Sequence, residues 1–348
     1  MQSLPNLPKD VLFLLALDLE LPDILSLCKS SYVINSKVCN REEFWSIKLN
    51  MLPDEIKEEI PELLEFIETS LMTEYINEEI RDRSYILSLR KQYILVYSLL
   101  KIREVFKLHD ETLLDTYITN ELWPQEPTKI PKEVHILPHL EIFRLSNTDI
   151  TEIPEDILSL TQLIELRLEE NQINKVSIEI SNLTNLKMLD LHINQFRNFP
   201  KEILSLTQLE DLNLSSNYIE SIPIEINQLA NLKMLSLTDN EIKQIPKELF
   251  DLTNLTFLSL TRNKIKEIPK EIGKLTNLQY LYLSFNELTK LPKQIRDLNS
   301  LISLYLKQNK IEYIQEEILN LFNLGIVDIR ENPIKYIDNN NPNLRIIL

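Results

Sequence analysis

The sequence predicts an α/β solenoid, a curved parallel sheet with short helical turns outside it, preceded by an all-helical N-terminal region. Three observations predict it. From Leu140 almost to the C-terminus the chain repeats every 23 residues, opening at Leu140, Leu163, Leu186, Leu209, Leu232, Leu255, Leu278, Leu301 and Leu324 without a slip. In the first half of each repeat leucines alternate with polar residues, the two-residue period of a strand. The second half opens on proline before a short apolar-periodic stretch, as a helical turn does. The 348 residues suffice for about two domains, and the boundaries are expected at residues 1–50, 51–116 and 117–348.

Taken in chain order, residues 7–49 read as three short helices. Leu7-Pro8 precedes an apolar segment that reaches about Leu17. Leu21-Pro22 opens a second segment, and Asn40 followed by Glu43 is a capping-box-like start for a third, which carries Phe44-Trp45. Such a unit is small and needs packing partners. The residues Leu7, Pro8, Asp10, Val11, Leu12, Leu21, Pro22, Asp23, Ile24, Leu25, Phe44 and Trp45 resemble an F-box. That resemblance implies docking on the Skp adaptor of cullin–RING ubiquitin ligases through Leu7, Pro8, Val11, Leu12, Leu21, Pro22, Leu25 and Trp45. The alternative reading of the same helices is a cap that closes the solenoid.

Residues 53–79 are acidic and amphipathic. Residues 84–108 are apolar on most faces and are expected to be buried as a joint between the N-terminal unit and the repeats. Ile130-Pro131 stands one period before the repeated Ile153-Pro154, so a degenerate capping repeat is expected over about residues 117–139.

Each repeat then reads L-x-x-L-x-L-x-x-N-x-I with small variations, as in LEDLNLSSNYI over residues 209–219. A single strand of this kind cannot bury its apolar face, whereas stacked copies make one long core. Asparagine recurs at the ninth position, at Asn171, Asn194, Asn217, Asn240, Asn263, Asn286, Asn309 and Asn332. A buried amide there can satisfy the backbone groups stranded where the chain leaves the sheet. Thr148 in the first copy predicts an incomplete ladder at that edge. Pro154, Pro200, Pro223, Pro246, Pro269 and Pro292 hold one phase, which Ser177 and Gln315 break. This pattern resembles the leucine-rich-repeat family over roughly 60% of the chain, and F-boxes joined to such repeats are a recurring pairing. The low-glycine, Ile/Asn/Lys-rich style is similar to that of F-box and repeat proteins of large DNA viruses infecting protists. After Ile334 the pattern is lost, and the tail is expected to cap the far end.

Composition bounds the function. The net charge is −16, with 15 basic and 24 acidic groups in residues 1–139 and 22 and 29 in residues 140–348. Neither part has the broad basic footprint that nucleic acid or an anionic membrane needs. The N-terminal apolar run contains Asp10, Asp18 and Glu20 and lacks a basic start, so it is a poor signal peptide. The only cysteines, Cys28 and Cys39, do not suggest a disulfide framework. The cytoplasm, or the nucleus, is the expected location, in a host cell if the protein is viral. Only Gly273 and Gly325 are glycine, so neither a phosphate-binding loop nor a dinucleotide fingerprint can be written.

Candidate chemistry is sparse. His135 and His139 have the spacing of paired metal ligands, but Pro138 lies between them and no third ligand is near. His192 with Asp190 and Ser215 sketches a triad without an oxyanion loop. Cys28 and Cys39 sit among apolar neighbours, where a thiol is inert. No enzyme activity and no cofactor are expected.

The sheet face is more informative. Positions 3, 5, 7 and 8 point to solvent, and in repeats six to eight they include Phe257, Tyr280, Tyr282, Phe285 and Tyr305. These five aromatics are expected to form a patch for a protein partner. Glu165, Glu169, Glu170, Asp190 and Asp211 make the preceding half acidic, with Arg144 and Arg167 at its edge. The chain is therefore expected to be a protein-binding module, monomeric on its own. The F-box resemblance implies more specifically the substrate receptor of a Skp–cullin–F-box ubiquitin ligase; the alternative is a binding scaffold without a ligase link.

Overall fold

The computed structural model describes residues 47–49, 51–52, 56–58, 96–101, 103, 121–122, 134, 140–314, 316–319, 321–335 and 344–348. The F-box-like residues Leu7, Pro8, Val11, Leu12, Leu21, Pro22, Leu25 and Trp45 lie outside these, as do Cys28, Cys39, His135 and His139. The chain divides into two compact units, Met1–Thr119 with Gln125–His139, and Asn120–Pro124 with Leu140–Leu348. In the first unit residues 96–101 are helical, with Val96, Tyr97, Ser98 and Leu99 buried and Leu100 and Lys101 half-buried.

The second unit is built by leucine. In each repeat the apolar residues at positions 1, 4 and 6, nearly all leucine, point inward and are shielded from solvent; Leu255, Leu258 and Leu260 are all at 0% exposure. The residues between them alternate outward, so positions 3 to 5 form a three-residue strand. The strands are β1 (Glu121–Leu122), β2 (Ile142–Arg144), β3 (Glu165–Arg167), β4 (Met188–Asp190), β5 (Asp211–Asn213), β6 (Met234–Ser236), β7 (Phe257–Ser259), β8 (Tyr280–Tyr282), β9 (Ser303–Tyr305), β10 (Ile326–Asp328) and β11 (Arg345–Ile347). They form one parallel sheet in strictly sequential order. From β2 to β10 the register advances by one repeat per strand, so Phe257 pairs Tyr280 and Tyr282 pairs Tyr305. The two outer strands come from segments without the repeat pattern. Glu121 pairs Ile142, and the C-terminal tail supplies β11, where Arg345 pairs Ile326.

Opposite the sheet, proline caps a 3-10 turn in successive repeats, at Pro200, Pro223, Pro246, Pro269 and Pro292. Proline lacks the N–H that such a cap would leave unpaired. Ser177 opens the equivalent turn in extended conformation, so the break in the proline column leaves the turn intact. Strands stack about 4.8 Å apart, whereas helical turns are about twice as thick, which places the sheet on the concave side.

The ninth-position asparagines form a continuous ladder. Asn217 accepts from the backbone N–H of Phe196 at 3.1 Å and donates to the carbonyls of Leu191 and Leu214, each at 3.1 Å. The same bonds recur from Asn194 to Asn332. The ladder starts at Thr148, whose hydroxyl and N–H both donate to Asn171 Oδ1 at 2.9 Å. A second asparagine column joins the outer turns, with Asn185, Asn231, Asn254, Asn277 and Asn323 each donating to a carbonyl of the preceding repeat. Several glutamates meet a lysine 23 residues further on, as in Glu220–Lys243, Glu241–Lys264 and Glu287–Lys310.

Candidate functional site

The concave face reads as parallel columns of side chains. At position 5, strands β8 and β9 place Tyr282 and Tyr305 directly side by side. Their rings stack with centroids 4.6 Å apart and planes 3° from parallel. Phe257, at position 3 of β7, leans on Tyr282 at 5.2 Å with a 40° tilt. All three rings are half-buried, so each keeps an accessible face. Tyr280 is beside Phe257 in register. Phe285 is elsewhere: it occupies the left-handed position at the end of its strand, with the Arg262 guanidinium 5.1 Å and the Lys307 ammonium 5.5 Å from its ring centre. The stacked cluster is thus Phe257, Tyr282 and Tyr305, with Tyr280 adjacent and Phe285 under two cations.

Beside the rings lies a depression of about 260 Å³, lined by Met188, Asp190, Asp211, Asn213, Met234 and Phe257. Met188 and Met234 share the third-position column with Phe257 and Tyr280, and a reading confined to aromatic rings passes over them. Burial, and next the charge of Asp190, push the Asp211 carboxyl above the usual carboxylate range; Arg167 acts in the opposite sense. Arg167 is itself drawn to Glu165 at 2.5 Å, and Arg144 reaches the same carboxylate at 3.1 Å. Between the acidic and aromatic regions runs a small-hydroxyl surface. Ser215 pairs with Ser236 at 2.7 Å, and Thr238 with Ser259 at 2.6 Å.

The sketched triad does not assemble. His192 Nδ1 is 2.8 Å from Asp190 Oδ1, but the Ser215 hydroxyl is paired with Ser236. No described group of three or more His, Cys, Asp or Glu could hold a metal ion. Among the described residues no helix is long and apolar enough to cross a membrane. A larger open groove of about 680 Å³ lies along the repeat exits beside Phe199, Pro200 and Pro223. Its lysines 175 and 201 already meet Glu152 and Glu225. The concave face, with stacked rings and an acidic depression side by side, is the stronger candidate.

Two family models match the sequence. One, described as a leucine-rich repeat region, covers residues 121–218 and 247–338; another, a leucine rich repeat, covers residues 207–265. None of the curated proteins matches the chain in sequence. Among solved structures, a leucine-rich-repeat protein of Leptospira interrogans is 38% identical with a TM-score of 0.61, over 66% of this chain and 59% of that one. The ectodomain of the plant membrane receptor kinase GASSHO1/SCHENGEN3 from Arabidopsis thaliana, in complex with CASPARIAN STRIP INTEGRITY FACTOR 2, is 29% identical with a TM-score of 0.56 over 63% and 28% of the two chains. An internalin from Listeria monocytogenes, 23% identical with a TM-score of 0.57 over 65% and 72%, shares the fold. The chain thus spans 59% and 28% of the length of the first two.

Proposed function

The chain belongs to the leucine-rich-repeat family, and from that premise we propose that it binds a protein partner on its concave face, anchored on Phe257, Tyr282 and Tyr305. The observation that carries this reading is the stack of three half-exposed rings on adjacent strands. Rings held in place by their neighbours offer contact area at little further entropic cost, and such residues dominate binding hot spots. The receptor ectodomain among the similar structures was solved with a bound factor, which supports a ligand-binding role for this architecture. Tyr282→Ala combined with Tyr305→Ala is expected to weaken a partner identified by an unbiased screen by about 2 kcal/mol or more, through faster release. Unchanged affinity in that double variant would place the interface elsewhere.

The F-box-like residues extend the proposal to a substrate receptor inside a cell, recruiting a Skp-type adaptor through Leu7, Pro8 and Trp45 while the repeats hold the substrate. Leu7→Ala with Pro8→Ala should abolish binding to purified Skp while the thermal transition of the repeats is unchanged. Absence of Skp binding by the parent chain would leave a scaffold with no ligase link.

A further inference from the structure

We propose that the concave face between β4 and β9 docks an extended segment of a protein partner. A lysine or arginine of that segment enters between Met188 and Met234 to reach Asp211 and Asp190. A proline or aromatic residue about four to six positions away lies on the Tyr282–Tyr305 stack. The inference rests on the concave-face reading above and adds the chemistry of the occupant.

The first argument is the composition of the depression. Two carboxylates stand on neighbouring strands, with thioethers on either side of them and the Phe257 ring at one end. Asp190 accepts from His192 and Asn213. Asp211 has no side-chain hydrogen bond or ion pair among the described residues. The charged groups facing it are Asp190, Glu165 and Arg167, and Arg167 is already engaged by Glu165. A naked inorganic cation would leave the methionine and phenylalanine walls without a role. A lysine or arginine stem covers them while its head meets the acids, since these side chains are apolar along their length and charged only at the tip. Methionine adapts its shape to such a stem, and a ring that turns its face to a cation can add a cation–π contact.

The second argument is the backbone. Interior strands of a parallel sheet have their N–H and C=O groups paired on both sides, so a ligand cannot add a strand there. It must cross the strands and be read by side chains. With strands about 4.8 Å apart, β5 to β8 spans about 14 Å and β5 to β9 about 19 Å. An extended chain covers these distances in about four to six residues. The intervening Ser236 and Thr238 have small, half-buried side chains that leave room for the crossing segment, and their hydroxyls can bond its backbone.

The test is to pan a displayed library of random twelve-residue peptides on the full chain, then measure synthetic copies of the enriched peptides against variants. The expected result is a basic residue four to six positions from proline, tyrosine or tryptophan. Binding should fall about tenfold or more with Asp190→Asn plus Asp211→Asn, and by a similar factor when the peptide's arginine is replaced by neutral citrulline or its lysine by glutamine. The asparagine variants keep side-chain size, and an unaltered melting curve confirms the fold. Peptides that are lost with Tyr282→Ala but indifferent to the asparagine pair would overturn this inference and leave the concave-face reading standing. Peptides indifferent to both, or no enriched peptide, would overturn both.

Discussion

The eighth position of each repeat bears a strain that its residue type does not reveal. Asn147, Glu170, Ile193, Ser216, Asp239, Arg262, Phe285, Gln308 and Glu331 all adopt a left-handed backbone, with φ between 51° and 58°. Neither glycine of the chain lies in that region. The conformation is imposed by the neighbouring repeat: the N–H of Ile193 donates to the Ser215 carbonyl at 2.9 Å, and that of Ser216 to Thr238 at 2.8 Å. A β-branched residue pays most, roughly 1–2 kcal/mol. Ile193 is 45% exposed, so its side chain returns little by burial. Ile193→Asn should raise stability by about 1 kcal/mol in urea unfolding, since asparagine tolerates this region; an unchanged or lower midpoint would mean that the turn is not strained. Asp211 makes a second prediction. Its carboxyl is held above the usual range by burial, so the folded state binds its proton more tightly than the unfolded chain does. Above that raised value the ionised group costs stability; below the ordinary value of about 3.9 it is neutral in both states. Asp211→Asn should therefore raise the melting temperature at pH 7, and the gain should vanish as the pH falls below about 4. A gain that persisted at low pH would argue against ionisation as its cause.

At the scale of elements, the strand and turn pattern was legible because it rests on burial, and burial has a period. Leu258 illustrates it: position 4, the middle residue of β7, at 0% exposure between β6 and β8. Leu258→Ala should cost about 2–5 kcal/mol in equilibrium unfolding; a parent-like transition would contradict the core assignment. The asparagine ladder was legible for a related reason, since a recurring amide at a chain exit has few other uses. What was not legible depends on contacts between repeats. The left-handed eighth position varies freely in residue type, so nothing in the sequence marks it. The outer asparagine column stands in the recurring Leu-x-Asn-Leu, but an exposed polar residue gives no periodic burial signal. β1 and β11 come from segments without the leucine pattern, and only pairing with a finished sheet makes them strands. In the candidate site the stack of Phe257, Tyr282 and Tyr305 could be placed by counting columns. The diversion of Phe285 to Arg262 and Lys307 could not, because it follows from its backbone conformation.

For the whole molecule, electrostatics should govern approach more than grip. The chain carries a net charge of −16. On the concave side Glu165 and Asp211 stand at the third position of β3 and β5, on either side of Met188, and Asp190 stands at the fifth position of β4 between them, with Glu169 and Glu170 just beyond. Like charges gathered in a concavity focus the field outward, and a basic partner diffusing nearby is guided before any contact forms. Such steering acts on the association rate. Dissociation is set by the close contacts, here the ring stack and the depression. Glu169 and Glu170 lie outside the depression lining, so changing them alters the field and leaves those contacts in place. Glu169→Lys with Glu170→Lys is therefore expected to slow association of a basic peptide selected on the parent chain by about tenfold at low ionic strength, with dissociation unchanged. Screening shortens the reach of the field to about 3 Å at 1 M salt, so the two association rates should converge there. Stopped-flow measurements over a salt series separate the alternatives. A rate difference that survives high salt, or one that appears in dissociation instead, would mean that these glutamates touch the partner directly rather than steer it.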